Sequence, residues 1–103
     1  MPALPRNDEL ADQLDLLADL SEILGEQSFR VLAYRRAATR IRETAASVAE
    51  LALAGKAKEL PGIGKTIETK IVEVIETGEM HALAKRRAEV PGEVASFMRL
   101  PGL

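Results

Sequence analysis

The sequence predicts an all-α fold, a compact bundle of about four to six helices, on three observations. Apolar residues recur at three- and four-residue steps along most of the chain, and no stretch alternates apolar and polar residues as a half-buried strand would. Glycine or proline stands where each periodic run stops. A chain of 103 residues that is 47% hydrophobic but only 3% aromatic fits one small domain, with a core of Leu, Ile, Val and Ala.

The first helix follows from Leu10, Leu14, Leu17, Leu20 and Leu24, which form one apolar stripe, with Asn7 or Asp8 as N-cap and Gly25 as the stop. Ser28 is placed to cap the second helix, in which Phe29, Ala33, Ala37, Ala38 and Ile41 are expected to be buried and the arginines to line the remaining surface. A third, shorter helix is expected from Ser47 through Val48, Leu51 and Leu53 to Gly55. Lys56 to Leu60 adds a turn before Pro61, because the residue preceding a proline is biased away from helix. Ile67, Ile71, Val74 and Ile75 mark a helix from about Gly64 to Thr77, closed by Gly78, and another runs from Glu79 to about Glu89. Pro91-Gly92 breaks the chain, and a last helical turn through Val94, Phe97 and Met98 leads to Leu100-Pro101-Gly102-Leu103. That ending repeats Leu60-Pro61-Gly62-Ile63, so the chain is expected to be an excised N-terminal domain. Residues 1–90 form the helical domain with its turn at 60–64, and residues 91–103 begin a second, truncated unit of the same kind.

Composition removes several function classes. The absence of cysteine excludes a disulfide framework and a thiolate zinc site, and fits a reducing compartment; His81, the single histidine, cannot build a histidine metal cluster. No apolar run approaches the roughly 20 residues of a membrane span, and the N-terminus lacks the layout of a secretory signal. A soluble, intracellular protein is expected.

Net charge is only −2, but it is strongly segregated. Residues 1–27 carry one arginine against seven carboxylates, whereas residues 28–42 carry Arg30, Arg35, Arg36, Arg40 and Arg42 and no acid. Such a helix either offers several cations to phosphates at once or pairs with the acidic first helix. Charge alone favours neither.

The most specific local signal is Leu60-Pro61-Gly62-Ile63-Gly64-Lys65. Two glycines two apart permit a tight turn whose amides point outward to grip a phosphate, the next helix adds its positive dipole end, and Lys65 adds a formal cation. An ordinary helix-helix connection is the plainer reading of a lone Pro-Gly-x-Gly. The Lys85-Arg86-Arg87 run reads as a solvated cap of a helix dipole, and His81 as a surface residue.

LPGIGKTIETKI resembles the helix-hairpin-helix motif, so that the expected bundle contains one such motif. Over nearly its full length the chain resembles the N-terminal lyase-type domain of family X DNA polymerases, particularly the bacterial enzymes. Three stretches carry the resemblance: the N-terminal amphipathic helix, Phe29 through Ala38, and Lys58 through Gly64 continuing by Lys70-Ile71 to Gly78. Leu100 to Leu103 resembles the start of the family's second hairpin. No palm carboxylates are present, so this chain does not itself polymerise DNA.

The resemblance implies a DNA-binding module for base excision repair that recognises a gap and its 5′-phosphate without sequence specificity. It places Lys70 at the family's Schiff-base position for 5′-deoxyribose phosphate lyase chemistry, Tyr34 in the pocket beside it, and Arg30 as a phosphate ligand. Arg35, Lys58, Gly62, Gly64, Lys65 and Thr66 complete the expected DNA contacts, and Arg30 and Arg35 are the expected cationic neighbours of Lys70. Taken alone, Lys70 reads as a solvated lysine with Glu73 as its i,i+3 partner, and Tyr34 as a residue that buries its ring. The lyase needs no cofactor, while the family binds a monovalent cation, Na+ or K+, through hairpin carbonyls that here belong to Lys58, Leu60 and Ile63. Expected partners are gapped, 5′-phosphorylated DNA and the rest of the polymerase chain, for a monomer in the cytoplasm, on the nucleoid, away from membranes. Phe29, Thr66 and Ala82 stand where eukaryotic members carry a stacking histidine and two lysines, which weighs against the lyase more than against DNA binding. Two rivals remain: a non-catalytic DNA-binding module, and a protein-interaction domain that docks through its leucine stripe.

Overall fold

The first helix, α1 (Asn7–Ile23), is where the bundle is anchored. In this computed structural model, which describes residues 3–89, Leu10, Leu14, Leu17 and Leu20 are all fully buried, as their spacing predicts. Leu16, Ala11 and Ala18 are buried too, because α1 packs against both the second and the last helix and needs an apolar arc wider than one stripe. Its start differs from expectation by one residue. Arg6 takes the N-cap position, with its N–H donated to the Glu9 carboxylate at 2.9 Å.

Asn7, expected as the cap, instead reaches across the fold. Its amide nitrogen donates to the carbonyls of Thr44 and Ala46, each at 2.9 Å, and its Oδ1 accepts the Val48 N–H at 2.9 Å. Those backbone groups lie between the second and third helices and have no ladder of their own, so one side chain satisfies what the turn leaves open. Asn7→Ala is expected to cost about 1–3 kcal/mol of unfolding free energy in a urea titration, and an unchanged midpoint would show that water replaces all three bonds.

Gly25 ends α1 as expected, with φ of +75° and with the Glu26 N–H returning to the Ser21 carbonyl at 2.9 Å. The second helix, α2 (Ser28–Glu43), begins with Ser28 inside the helix and Gln27 at the cap, where no side chain caps it. Its rotation also differs from expectation. Phe29 is 67% exposed and Ala33 is exposed, whereas Val31, Tyr34, Ala37, Ala38 and Ile41 are buried. Burying Val31, Tyr34 and Ile41 together outweighs burying Phe29, and the same rotation brings the arginines to α1: Arg35 Nη2 lies 2.8 Å from Asp19, and Arg42 lies 2.6 Å from Asp15 and 2.8 Å from Asp12. Ala37 and Ala38 let the two helices approach closely on the buried side, with the arginines bridging at the edge. The charge segregation is thus partly an α1–α2 seam, whose exposed pairs contribute about 1 kcal/mol or less each.

Ser47 caps α3 (Val48–Leu53) by accepting the Glu50 N–H at 3.2 Å, and the expected turn before Pro61 is a 3₁₀ turn, Ala57–Glu59. Leu53 is half exposed rather than part of the core. Helix α4 (Lys65–Thr77) buries Ile67, Ile71 and Val74 and is closed by Gly78 at φ +88°. Met80 and Leu83 then seat α5 (His81–Glu89) in the core. Gln13 of α1 holds that junction, donating to the Gly78 carbonyl and accepting the Met80 N–H, each at 3.1 Å. Among the described residues there is no strand, and no helix is long and apolar enough to cross a membrane. The turn expected through Val94, Phe97 and Met98, and the Leu100–Leu103 repeat, lie outside the described residues.

Candidate nucleic-acid interface

The turn between the 3₁₀ segment and α4 is built from its sequence. Pro61 presets the second position of a β-turn, Gly62 supplies the positive φ (+86°) required at the third, and the Ile63 N–H closes the turn on the Leu60 carbonyl at 3.0 Å. The Ile63 side chain is buried and pins the turn to the core. Gly64 has no comparable conformational need: its φ is −89° and a Cβ there would meet nothing within 4 Å. The Gly64 carbonyl accepts the Glu68 N–H at 3.0 Å, while the amides of Lys65 and Thr66 begin α4 with no acceptor inside the helix. Unpaired amides at a helix start are groups that can hold an anion. Glu68, nearly buried, accepts the Lys58 N–H at 2.9 Å and so locks the 3₁₀ turn to α4, a bond that nothing in the local sequence announces.

Helix α2 flanks this turn. Arg40 Nε donates to the Pro61 carbonyl at 3.1 Å, and the two elements enclose a groove of about 420 Å³ lined by Leu32, Arg36 and Arg40 on one wall and Pro61 and Gly62 on the other. The exposed Arg36 guanidinium therefore stands beside the turn whose amides are free.

Lys70 sits further along α4 and is half buried. Burial, the largest influence, pushes its amine below the ordinary lysine value of 10.5; Glu73 opposes the shift, and the charges of Arg86 and Arg30 add to it. Tyr34 is 6% exposed and so buries its ring. The expected i,i+3 pair with Glu73 is not made as a contact: among the described residues Lys70 has no ion pair within 4 Å. Glu73 instead caps α5, accepting the His81 N–H at 3.1 Å, with His81 Nδ1 at 3.4 Å; His81 itself is a surface residue, as expected.

The helix-hairpin-helix domain model matches residues 5–80, from the segment before α1 through the turn and α4 to Met80. The chain belongs to the helix-hairpin-helix domain family. It is also 32% identical over 90 residues to the DNA polymerase/3′-5′ exonuclease PolX of Bacillus subtilis (strain 168), an overlap that covers 87% of this chain and 15% of that protein. The chain thus spans about 15% of the length of the curated relative it matches. The expected likeness to a bacterial family X polymerase and the expected all-α fold both hold.

Within this helix-hairpin-helix domain the expected site residues divide into two groups. Gly62, Gly64, Lys65 and Thr66 form the turn and the start of α4, with Lys58 exposed just before it. Arg30 and Lys70 form the second group, with the Arg30 charge acting on the Lys70 amine, and Tyr34 is buried on the Arg30 helix. Arg35 joins neither as a free cation, because Asp19 at 2.8 Å and Glu22 at 3.7 Å hold it on α1. The cation that replaces it beside Lys70 is Arg86, which the sequence presents as one of three solvated charges at a helix end. In the fold its side chain is only 13% exposed, and it bonds Glu26 through two nitrogens at 2.7 and 2.8 Å. Arg87 of the same run pairs with Glu79 at 2.8 Å. The family match ends before α5, and Glu26 and Arg86 are 60 residues apart, so neither motif nor spacing could have joined them.

Proposed function

We propose that this chain is the gap-binding domain of a family X repair polymerase, that it holds the 5′-phosphate side of a DNA gap without reading bases, and that Lys70 performs 5′-deoxyribose phosphate lyase chemistry. The observation that carries this reading is the half-buried Lys70 amine, whose charge is disfavoured by burial and by two arginines, one turn-length away from the free amides of a hairpin. The turn and its neighbours Lys65, Thr66, Arg36 and Arg40 would hold the sugar-phosphate backbone, and Arg30 and Lys70 the terminal phosphate. A Na+ or K+ ion at the hairpin would use the carbonyls of Lys58, Leu60 and Ile63; the Leu60 oxygen already accepts the Ile63 N–H and keeps one lone pair for it.

In the lyase step the neutral Lys70 nitrogen attacks C1′ of the opened abasic sugar, and loss of water leaves an iminium. That cation acidifies the C2′ proton; its removal drives cleavage of the C3′–O bond, and the released strand departs with a 5′-phosphate. Water then hydrolyses the imine and returns the free amine. In this reading Tyr34 would stand beside the sugar and orient it.

The test is a titration of one-nucleotide-gapped duplex with and without a 5′-phosphate on the downstream strand. Binding is expected to be several-fold tighter with the phosphate and to weaken steeply with salt, by a log–log slope of about 0.9 for each duplex phosphate contacted. Equal affinity for both ends would remove the 5′-phosphate pocket. Salt-independent binding of a protein partner, without DNA binding, would favour apolar docking instead.

A further inference from the structure

Three elements meet at one carboxylate. Glu26, in the turn between α1 and α2, receives Arg86 of α5 through Nε at 2.7 Å and Nη2 at 2.8 Å, and Arg30 of α2 through Nη1 at 3.2 Å. Arg86 also donates from Nη1 to the Ala82 carbonyl at 3.3 Å, which fixes its plane against its own helix. Two guanidinium groups converging on one anion, with a lysine amine close by, is the arrangement that binds a phosphate monoester. A carboxylate offers the same pair of in-plane acceptors as two phosphate oxygens but carries less charge. Both Glu26 and Arg30 keep exposed surface, 21% and 49% of their side chains, so an anion from solvent can reach the arginines without opening the core.

We infer that Glu26 is an internal stand-in for the DNA 5′-phosphate: it holds Arg30 and Arg86 in position in the free protein and yields them to the phosphate on binding. The inference rests on the gap-binding reading above and adds to it a ligand, Arg86, outside the matched family segment, and a competitor, Glu26. Exchange keeps charge balanced, because the arginines leave one anion only as they engage another. It also gives selectivity, since a 5′-hydroxyl cannot displace a carboxylate from two guanidinium groups.

Glu26→Gln and Arg86→Lys test the inference, each measured against the phosphorylated and the hydroxyl-terminated gap beside wild type. Glu26→Gln is expected to tighten binding of the phosphorylated gap by about 2- to 10-fold and to leave the hydroxyl gap unchanged. Arg86→Lys keeps the charge but loses the two-nitrogen grip, and is expected to erase most of the preference for phosphate. If Glu26 only braces α5, the Gln variant weakens both DNAs equally and melts earlier, and the inference fails. A wild type that prefers the phosphorylated gap alongside a Gln variant that behaves identically overturns the inference and leaves the gap-binding reading intact; a wild type with no preference ends both. Should the variants not fold, the wild-type Arg86 Nε–H resonance decides: it is expected to move on adding phosphorylated gap and not hydroxyl gap, and an unmoved signal rejects the exchange.

Discussion

Lys70→Ala is expected to lower borohydride trapping of the domain on incised abasic DNA at least about 100-fold, while leaving thermal stability within about 0.5 kcal/mol of wild type. Both halves follow from where Lys70 sits. It lies off the apolar stripe of α4 and makes no ion pair among the described residues, so its removal takes away a half-buried charge and no contact of the core. The pH dependence carries the same signature. Because burial pushes the folded amine below the ordinary lysine value, the trapping rate is expected to rise with pH and to level off before an ordinary lysine would, as neutral amine accumulates. Trapping that persists in the variant would assign the nucleophile to another amine.

Its neighbour gives the opposite result. Ile71→Ala removes a side chain with no exposed surface, packed where α4 meets the core, and is expected to cost about 2–5 kcal/mol. For a domain of this size that lowers the melting temperature by about 10 °C or more. Below its own melting point the variant is expected to retain the trapping of wild type, because the substitution leaves Lys70 and the hairpin in place. A melting temperature within two or three degrees of wild type would mean that neighbouring core side chains close the cavity. The adjacent pair, tested together, separates chemistry from stability on one helix.

Much of this was legible in the sequence, and the reasons are local. The stop glycines Gly25 and Gly78, the Ser47 cap and the Pro61-Gly62 turn each encode their conformation within a few residues, and all appear in the fold. The leucine stripe of α1 was plain because four large residues repeat without interruption. Helix α2 was harder: alanines dominate it, Phe29 and Val31 compete to define its inner face, and the decision falls to Val31, Tyr34 and Ile41 being buried together while Arg35 and Arg42 reach carboxylates on another helix. The same limit hid Arg86. Local reading can assign a charged run to a helix end, but only the packing of α5 beside the α1–α2 turn brings Glu26 to it. Asn7 and Glu68 were invisible as well, since each satisfies backbone groups of a distant segment.

The Gln13 clasp sets an order of events during synthesis. Helices α1 and α2 are joined by a short turn and can zip together as soon as both have left the ribosome, since their pairing needs nothing downstream. Gln13, however, finds its two partners only at Gly78 and Met80, 65 and 67 residues later. Until that stretch emerges, the side of α1 that packs against α5 remains open to water. The nascent chain therefore passes through a half-roofed stage in which the α1–α2 pair waits for its lid, and the roof closes only once α5, with Leu83, has emerged.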